Sequence, residues 1–244
     1  MRIFFALRRA APPCAASAFS AHIGETAGRG CRRCSTSASA SSAPPLVATR
    51  TSNVGKLAGA IAGRIRNKES SVISAIGPTA SYMAVKAVVI ANQYVQEVNP
   101  GKSLAITPAK HQLGGTEGRP ETFGYSLEVC SVQDPGPVDK PEIFVAGKTN
   151  VGHMAGLMAN ILNRESIVTV GGMGAEAVSS ALKATIIAQS FVGKLGIEDT
   201  LALVPRFDQF EENDEERMRM LLICTLRPAS PARDTAGDVM GGTS

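Results

Sequence analysis

One segment of this chain occurs twice, and the second copy begins 97 residues after the first. The first copy is NVGKLAGAIAGRI, residues 53–65, and the second is NVGHMAGLMANIL, residues 150–162. The same offset continues without a gap through further identical pairs, among them Gly77 and Gly174, Lys86 and Lys183, Ile90 and Ile187, and Pro108 and Pro205. Self-similarity at a fixed offset over most of a chain predicts two copies of one structural unit.

The charge of the chain is unevenly distributed. Residues 1–45 hold six Arg and one acid, whereas the chain of 244 residues has a formal net charge of +4. The remaining 199 residues therefore hold 19 basic and 20 acidic groups, a net charge of −1. The basic isoelectric point is thus no evidence for a nucleic-acid partner. A repeat of roughly 90 residues is long enough to bury its own core.

The first 45 residues have the composition of an organellar transit peptide, being rich in Arg, Ser and Ala and nearly free of acid. We expect a mitochondrial matrix address; a plastid address and a plain disordered tail stay open. The apolar run 3–7 is too short to cross a bilayer, and no later stretch is long enough, so no membrane association is expected.

Within each unit the apolar periodicity changes from strand to helix and back. Val54, Leu57, Ala58 and Ile61 follow helical spacing after Asn53, a favourable N-cap, and the second copy repeats this pattern. A second helix, from about 79 to 95 and from about 175 to 192, is apolar on nearly every side. Such a helix must be buried on more than one face, and the matching helix of the other copy is the simplest partner. We therefore predict an intramolecular pseudo-dimer; a further homo-oligomer stays open.

Each unit closes with a predicted β-hairpin, giving the order β-α-β-α-β-β and an α+β fold. The first hairpin runs from strand 104–107 through a long polar loop, and the second runs from strand 201–204 through an acidic loop. The predicted organisation is a disordered transit peptide (1–45), unit one (46–130), a Pro-rich linker (131–140), unit two (141–228) and a disordered tail (229–244).

This order of elements, with NVGKLAGAIA, AIGPTASYMAVKAVVIA (75–91) and a closing hairpin, resembles the stage V sporulation protein S family. The second copy, with NVGHMAGLMA and GGMGAEAVSSALKATIIA (171–188), is similar to it as well. Family members usually have one unit, so a tandem pair departs from the common form. The resemblance implies an Alba-like fold, a small mixed sheet packed by two helices, and a module that binds DNA or RNA, with RNA favoured here.

In the family, the binding surface consists of the first strand-to-helix corner, the start of the second helix and the hairpin arm. The resemblance therefore directs attention to nine residues: Arg50, Asn53, Lys56, Lys86, Lys110, Arg119, Lys148, Asn150 and Lys183. Lys56 fits a phosphate contact or a solvated side chain. Lys86 and Lys183 fit phosphate contacts or lysines whose stems cover an interface edge. Gly77 and Gly174 precede helices whose N–H groups can hold phosphate, or they serve turns with positive φ.

The two arms differ in charge. Unit one contains nine basic and five acidic groups, whereas unit two contains eight basic and eleven acidic groups, many of them in DQFEENDEE (208–216). Because phosphate contacts supply most nucleic-acid affinity, the acidic arm should repel a polyanion. We infer that unit one carries most of the nucleic-acid contact. The acidic run 208–216 stays open as a site for a protein partner.

No catalytic signature is present in the sequence. A Ser-His-acid or Cys-His set, an HExxH motif and a P-loop are all missing, so we expect no enzyme activity, no cofactor and no metal site. We expect Cys130 and Cys224, which fall in strand patterns, to be buried free thiols. The alternative to nucleic-acid binding is a structural or assembly subunit of an organellar ribonucleoprotein that binds mainly protein.

Overall fold

The computed structural model describes residues 43–113, 122–138, 140–212 and 215–228, all within one compact unit. The first repeat contains β1 (Leu46–Ala48), α1 (Val54–Arg66), β2 (Ser71–Ala75), α2 (Pro78–Val98), β3 (Lys102–Leu113) and β4 (Thr122–Gln133). The second contains β5 (Ile143–Val145), α3 (Val151–Glu165), β6 (Ile167–Gly172), α4 (Gly174–Lys194), β7 (Thr200–Glu212) and β8 (Glu215–Arg227). The predicted tail and the predicted transit peptide up to residue 42 lie outside the described residues.

The predicted α+β fold and its tandem repetition are confirmed. The described residues form one eight-stranded mixed sheet in the order β1-β2-β4-β3-β7-β8-β6-β5. In each half a helix connects two parallel strands, β1 to β2 and β5 to β6, and an antiparallel hairpin follows. The halves meet where β3 pairs antiparallel with β7, with Ile106 opposite its repeat equivalent Leu203. The sequence analysis did not foresee this strand pairing.

All four described helices pack against the sheet, and the main core lies between them. α1 packs on α2, α3 packs on α4, and α2 and α4 contact each other at the boundary between the repeats. α2 also contacts β7, and α4 also contacts β3, so each central helix lies over both halves of the sheet. This placement explains why α2 and α4 are apolar on nearly every side. Val85, Val88 and Leu182 are fully enclosed, with at most 1% of their surface exposed.

An amide side chain at the same repeat position, buried at Asn92 and partly buried at Gln189, fixes each central helix to the strand that follows it. The side-chain oxygen of Asn92 on α2 accepts a hydrogen bond from the Leu104 N–H at 2.7 Å. Gln189, the equivalent residue on α4, accepts one from the Leu201 N–H at 2.6 Å. Both bonds satisfy a backbone donor near the start of a central strand, where an unpaired N–H would be costly to bury.

The segment after β4 crosses the opposite face of the sheet. A second, smaller core lies there, made of Ala105, Ala202, Val204 and Ile223, and Val138 packs against it. Arg206 of β7 donates to the Gly136 carbonyl at 2.7 Å and forms an ion pair with Asp134. The predicted linker is therefore packed against the sheet, and its first three residues belong to β4, which continues to Gln133.

The hairpin strands are longer than the sequence pattern predicts. β3 extends from Lys102 to Leu113, and β7 extends from Thr200 to Glu212. Much of the run 208–216, which the sequence analysis placed in an acidic loop, thus lies in strands. The backbones of β7 and β8 pair from Thr200 opposite Arg227 to Glu212 opposite Glu215, and this pairing does not depend on apolar side chains. We call 109–113 with 122–125 arm one, and 206–212 with 215–220 arm two.

Replacing Asn92 by Ala should reduce the free energy of unfolding by about 1–3 kcal/mol, because the buried Leu104 N–H loses its acceptor. The neighbouring exposed Gln93 provides the matched control, and Gln93→Ala should change stability by less than about 0.5 kcal/mol. Urea denaturation of both variants measures the difference. Equal stabilities for the two variants would contradict a structural role for the Asn92 amide.

The ion pair between Asp134 of the linker and Arg206 of β7 should make the stability of the protein depend on pH. Partial burial alone would raise the pKa of Asp134, but the Gly136 N–H, at 2.8 Å, and the Arg206 guanidinium together hold it below its usual value. A lowered folded-state pKa stabilises the protein above the unfolded-state pKa, and this contribution disappears as the pH falls through the folded-state pKa. Asp134→Asn should therefore cost about 1 kcal/mol at pH 7 and nothing once the carboxyl is protonated.

This prediction is tested by chemical denaturation of both proteins between pH 7 and pH 3. Glu97→Gln, a change of an exposed carboxylate on α2, serves as the control. A stability difference for Asp134→Asn that stays constant over the whole pH range would contradict the assigned role of the carboxylate.

Candidate nucleic-acid interface

The strand-to-helix corner has the same construction in both repeats. The hydroxyl of Ser52 accepts from the Thr49 N–H at 2.8 Å, and the equivalent Thr149 accepts from the Ala146 N–H at 2.9 Å. The next residue then caps the helix. Asn53 accepts from the N–H of Lys56 at 3.0 Å, and Asn150 accepts from the N–H of His153 at 3.1 Å. The side-chain oxygens of both predicted site asparagines thus stabilise the helix starts.

A cavity of about 620 Å³ lies between arm one and α4, and we call it cleft I. Repeat one contributes the start of α2 at Gly77 together with Lys110 and Tyr125 of arm one. Repeat two contributes Ser179 and Lys183 from α4. Three apolar residues of repeat two complete its wall: Val151, Ile186 and Ile187. Lys183 and Lys110 are both exposed, so cleft I carries two ammonium groups, one from each repeat.

The repeat equivalent of this cavity, about 420 Å³, lies between arm two and α2, and we call it cleft II. Lys86 and Tyr82 of α2 line it, in the positions of Lys183 and Ser179. Phe207 of arm two stands in the position of Lys110. Met220 stands in the position of Tyr125. Met220 pairs with Gly172 of β6, and Tyr125 pairs with Ala75 of β2, the repeat equivalent of Gly172. Cleft II is smaller and more aromatic than cleft I.

The two equivalent lysines therefore lie in different surroundings. The Lys86 ammonium lies 4.9 Å from the centre of the Tyr82 ring and 6.0 Å from that of the Phe207 ring, and its side chain is half-buried. Stabilisation by ring faces of this kind is a cation–π interaction. Lys183, by contrast, is exposed at the wall of cleft I. The sequence left two roles open for these lysines. The half-buried Lys86 fits a lysine whose stem covers an interface edge, and the exposed Lys183 fits a residue that is accessible to an anion.

The basic residues of arm two are paired with acids. Arg219 contacts the Asp208 carboxylate through two nitrogens, at 2.5 and 2.6 Å, and Arg217 pairs with Glu215 at 3.2 Å. Arg219 also lies over the ring of Phe210, 4.7 Å from its centre. Arg206, which flanks the acidic run in sequence, pairs instead with Asp134 of the linker. Arm two therefore adds little uncompensated positive charge to cleft II.

The structure separates the sequence-predicted residues into groups. Lys110 and Lys183 line cleft I, with Asn150 next to the cleft residue Val151. Lys86 lines cleft II, with Asn53 next to Val54. Arg50, Lys56 and Lys148 are exposed on the two corners, and Arg119 lies outside the described residues. Each arm thus faces the central helix of the other repeat, so neither cleft belongs to one unit alone.

Neither Tyr125 nor Ser179 is among the nine residues that the sequence predicted for the site. Their hydroxyl oxygens lie 3.5 Å apart across the boundary between the repeats, inside cleft I. Tyr125 belongs to an alternating strand pattern and Ser179 to a helix of small residues, so each fits a packing role when its own segment is considered alone. A comparison with Tyr82, the equivalent residue of the first repeat, could have drawn attention to Ser179. The serine side chain is much smaller than the tyrosine side chain, so the substitution leaves space in cleft I.

The described residues show little sign of other chemistry. Among them, no group of three or more His, Cys, Asp or Glu side chains is placed to hold a metal ion, and no helix is long and apolar enough to cross a membrane. Burial raises the pKa of Cys224 to about 12, so this free thiol stays protonated near neutrality. Cys130 is also free but only half-buried, and burial is the largest cause of its raised pKa.

The family comparison agrees with the repeat. The family model described as stage V sporulation protein S matches twice, over residues 46–122 and 142–227, or about two thirds of the chain. The first match ends at the start of β4, and the second extends to the end of β8. With two consecutive matches and the same order of strands and helices in each half, this chain belongs to the stage V sporulation protein S family as a tandem duplicate.

Proposed function

We propose that this protein binds nucleic acid, RNA in preference to DNA, through phosphate contacts and without catalysis. The observation that carries the proposal is cleft I, where Lys110 of one repeat and Lys183 of the other line the same cavity. Two cations that line one groove are suited to a phosphodiester backbone, because releasing its counterions supplies sequence-independent affinity. The stage V sporulation protein S family has an Alba-like fold, is often nucleic-acid binding and is not a known enzyme family, which supports this reading.

The start of α2 adds to the positive potential of cleft I. Gly77, the N-cap residue, has φ +82° and no side chain with which to cap the helix, and Pro78 occupies the first helical turn. A helix of 21 residues directs the positive end of its dipole towards this wall. Arg50, Lys56 and Lys148 on the corners are proposed as further phosphate contacts, with Arg119 beyond the described part of arm one. Asn53 and Asn150 are proposed to act mainly by holding these corners.

The proposed location is the mitochondrial matrix, with a plastid as the alternative, on the composition of residues 1–45. A role as an assembly subunit is the second candidate function, and the ion-paired acidic arm two favours it. Ultraviolet crosslinking in isolated organelles separates the two. Direct RNA or DNA adducts on Lys110 or Lys183 peptides support nucleic-acid binding, whereas adducts formed only with proteins support the assembly role.

Replacing Lys110 or Lys183 by Gln should weaken binding of the full-length chain to a single-stranded RNA. Each change should reduce the slope of log affinity against log salt concentration by about one, because one phosphate contact is lost. Fluorescence anisotropy between 50 and 300 mM salt measures the slope. Comparing full-length variants removes the contribution of the six Arg in residues 1–45, which all of them share.

The matched control is Lys194→Gln, an exposed lysine in the last turn of the same helix as Lys183. It should keep the slope of the parent protein. If both cleft variants also keep the parent slope, cleft I is not a phosphate-binding surface.

A further inference from the structure

We propose that cleft I receives the base of one unpaired nucleotide, held over Lys183 in the space that aromatic side chains fill in cleft II. This inference rests on the proposed function and narrows it, since it specifies a single-stranded ligand and a contact with the base in addition to the phosphate. The repeat makes the two clefts equivalent, so the residues that line them can be compared position by position.

Cleft II shows what fits beside the lysine on a central helix. There the Lys86 ammonium lies 4.9 Å from the Tyr82 ring centre and 6.0 Å from the Phe207 ring centre, one ring from each repeat. The protein thus supplies its own planar rings at this position. Such rings attract the ammonium through their negative faces, and a nucleobase presents the same kind of π-face.

Cleft I lacks both of these rings. Ser179 stands where cleft II has Tyr82, and Lys110 stands where it has Phe207. The cavity is correspondingly larger, about 620 Å³ against about 420 Å³. Its volume lies in the range of pockets that enclose small organic ligands, roughly 300–1,000 Å³. The absence of two rings beside a retained lysine leaves room for a ring supplied by a ligand.

The remaining walls of cleft I suit a base joined to a phosphate. Ile187 and Pro78 provide apolar surface for the faces of a base, and the Tyr125 ring adds an aromatic wall. The hydroxyl group of the partly exposed Tyr125 lies 3.5 Å from that of the buried Ser179 and can donate to or accept from base edges. Lys110, on the exposed arm, is placed for the phosphate of the same nucleotide or the next one.

The first test needs no protein variant. The full-length chain is titrated with a twelve-nucleotide oligoadenylate RNA, with the same oligomer in which every base is removed, and with a twelve-base-pair RNA duplex. Loss of a stacked base should weaken binding about tenfold. The duplex, whose bases are paired, should also bind less tightly than the intact single strand at equal salt.

A second test closes the cleft without changing charge. Ser179→Tyr introduces the residue that cleft II has at this position, and its ring should occupy the space proposed for the base. The variant should therefore lose the preference for the intact strand over the abasic strand while keeping the salt slope. Ser190→Tyr, at an exposed position on the same helix, is the control and should keep both properties. If Ser179→Tyr fails to fold, as judged by circular dichroism, the comparison of intact and abasic strands decides alone.

The possible results separate this inference from the function on which it rests. Equal affinities for intact and abasic strands, with a normal salt slope, would overturn the base-binding cleft and leave phosphate binding standing. Equal affinities for single strand and duplex would overturn it in the same way. Absence of binding to all three nucleic acids would overturn both proposals.

Discussion

The joint between the repeats is the constraint that shapes this molecule. Along it β3 pairs with β7, and α2 packs against α4 above the same line. Separated, each half would leave a long strand edge with unpaired backbone groups and a helix with apolar residues facing water. Joining the halves satisfies the backbone and buries the helices together. It also places each arm against the opposite central helix, which is why both clefts take their walls from two repeats.

Local signals predicted much of the fold, because they act within a few residues. Asn53 and Asn150 cap the helices that the apolar spacing predicted, and the repeat offset correctly indicated two equivalent units. The central strand pairing was not predictable in this way, since the apolar pattern of β3 shows burial without showing which strand lies beside it. Arm two was misinterpreted as a loop for a related reason. Its composition is polar, but an antiparallel ladder is held by backbone hydrogen bonds, which polar residues form as well as apolar ones do.

The candidate site was likewise only partly predictable from the sequence. Lys86 and Lys183 occupy one position of the repeat, so the sequence assigned them the same alternatives. What distinguishes them is the residue that the other repeat contributes to the cleft. Lys86 shares cleft II with Phe207, on an arm much later in the chain, and Lys183 shares cleft I with Lys110, on an arm much earlier in the chain. A contact of that range depends on the register of two strands and the placement of two helices. It could be recognised only after the two repeats had been placed together.

The tandem arrangement has a consequence that a pair of separate, identical subunits would not have. In a homodimer one mutation changes both sides of the two-fold axis, so the two clefts would stay alike. Here each cleft is encoded by its own residues, and one is narrowed by Phe207 and Tyr82 while the other is wider. The chain thereby presents two unlike clefts, so that under the proposed function the protein would bind a strand in one direction in preference to the other.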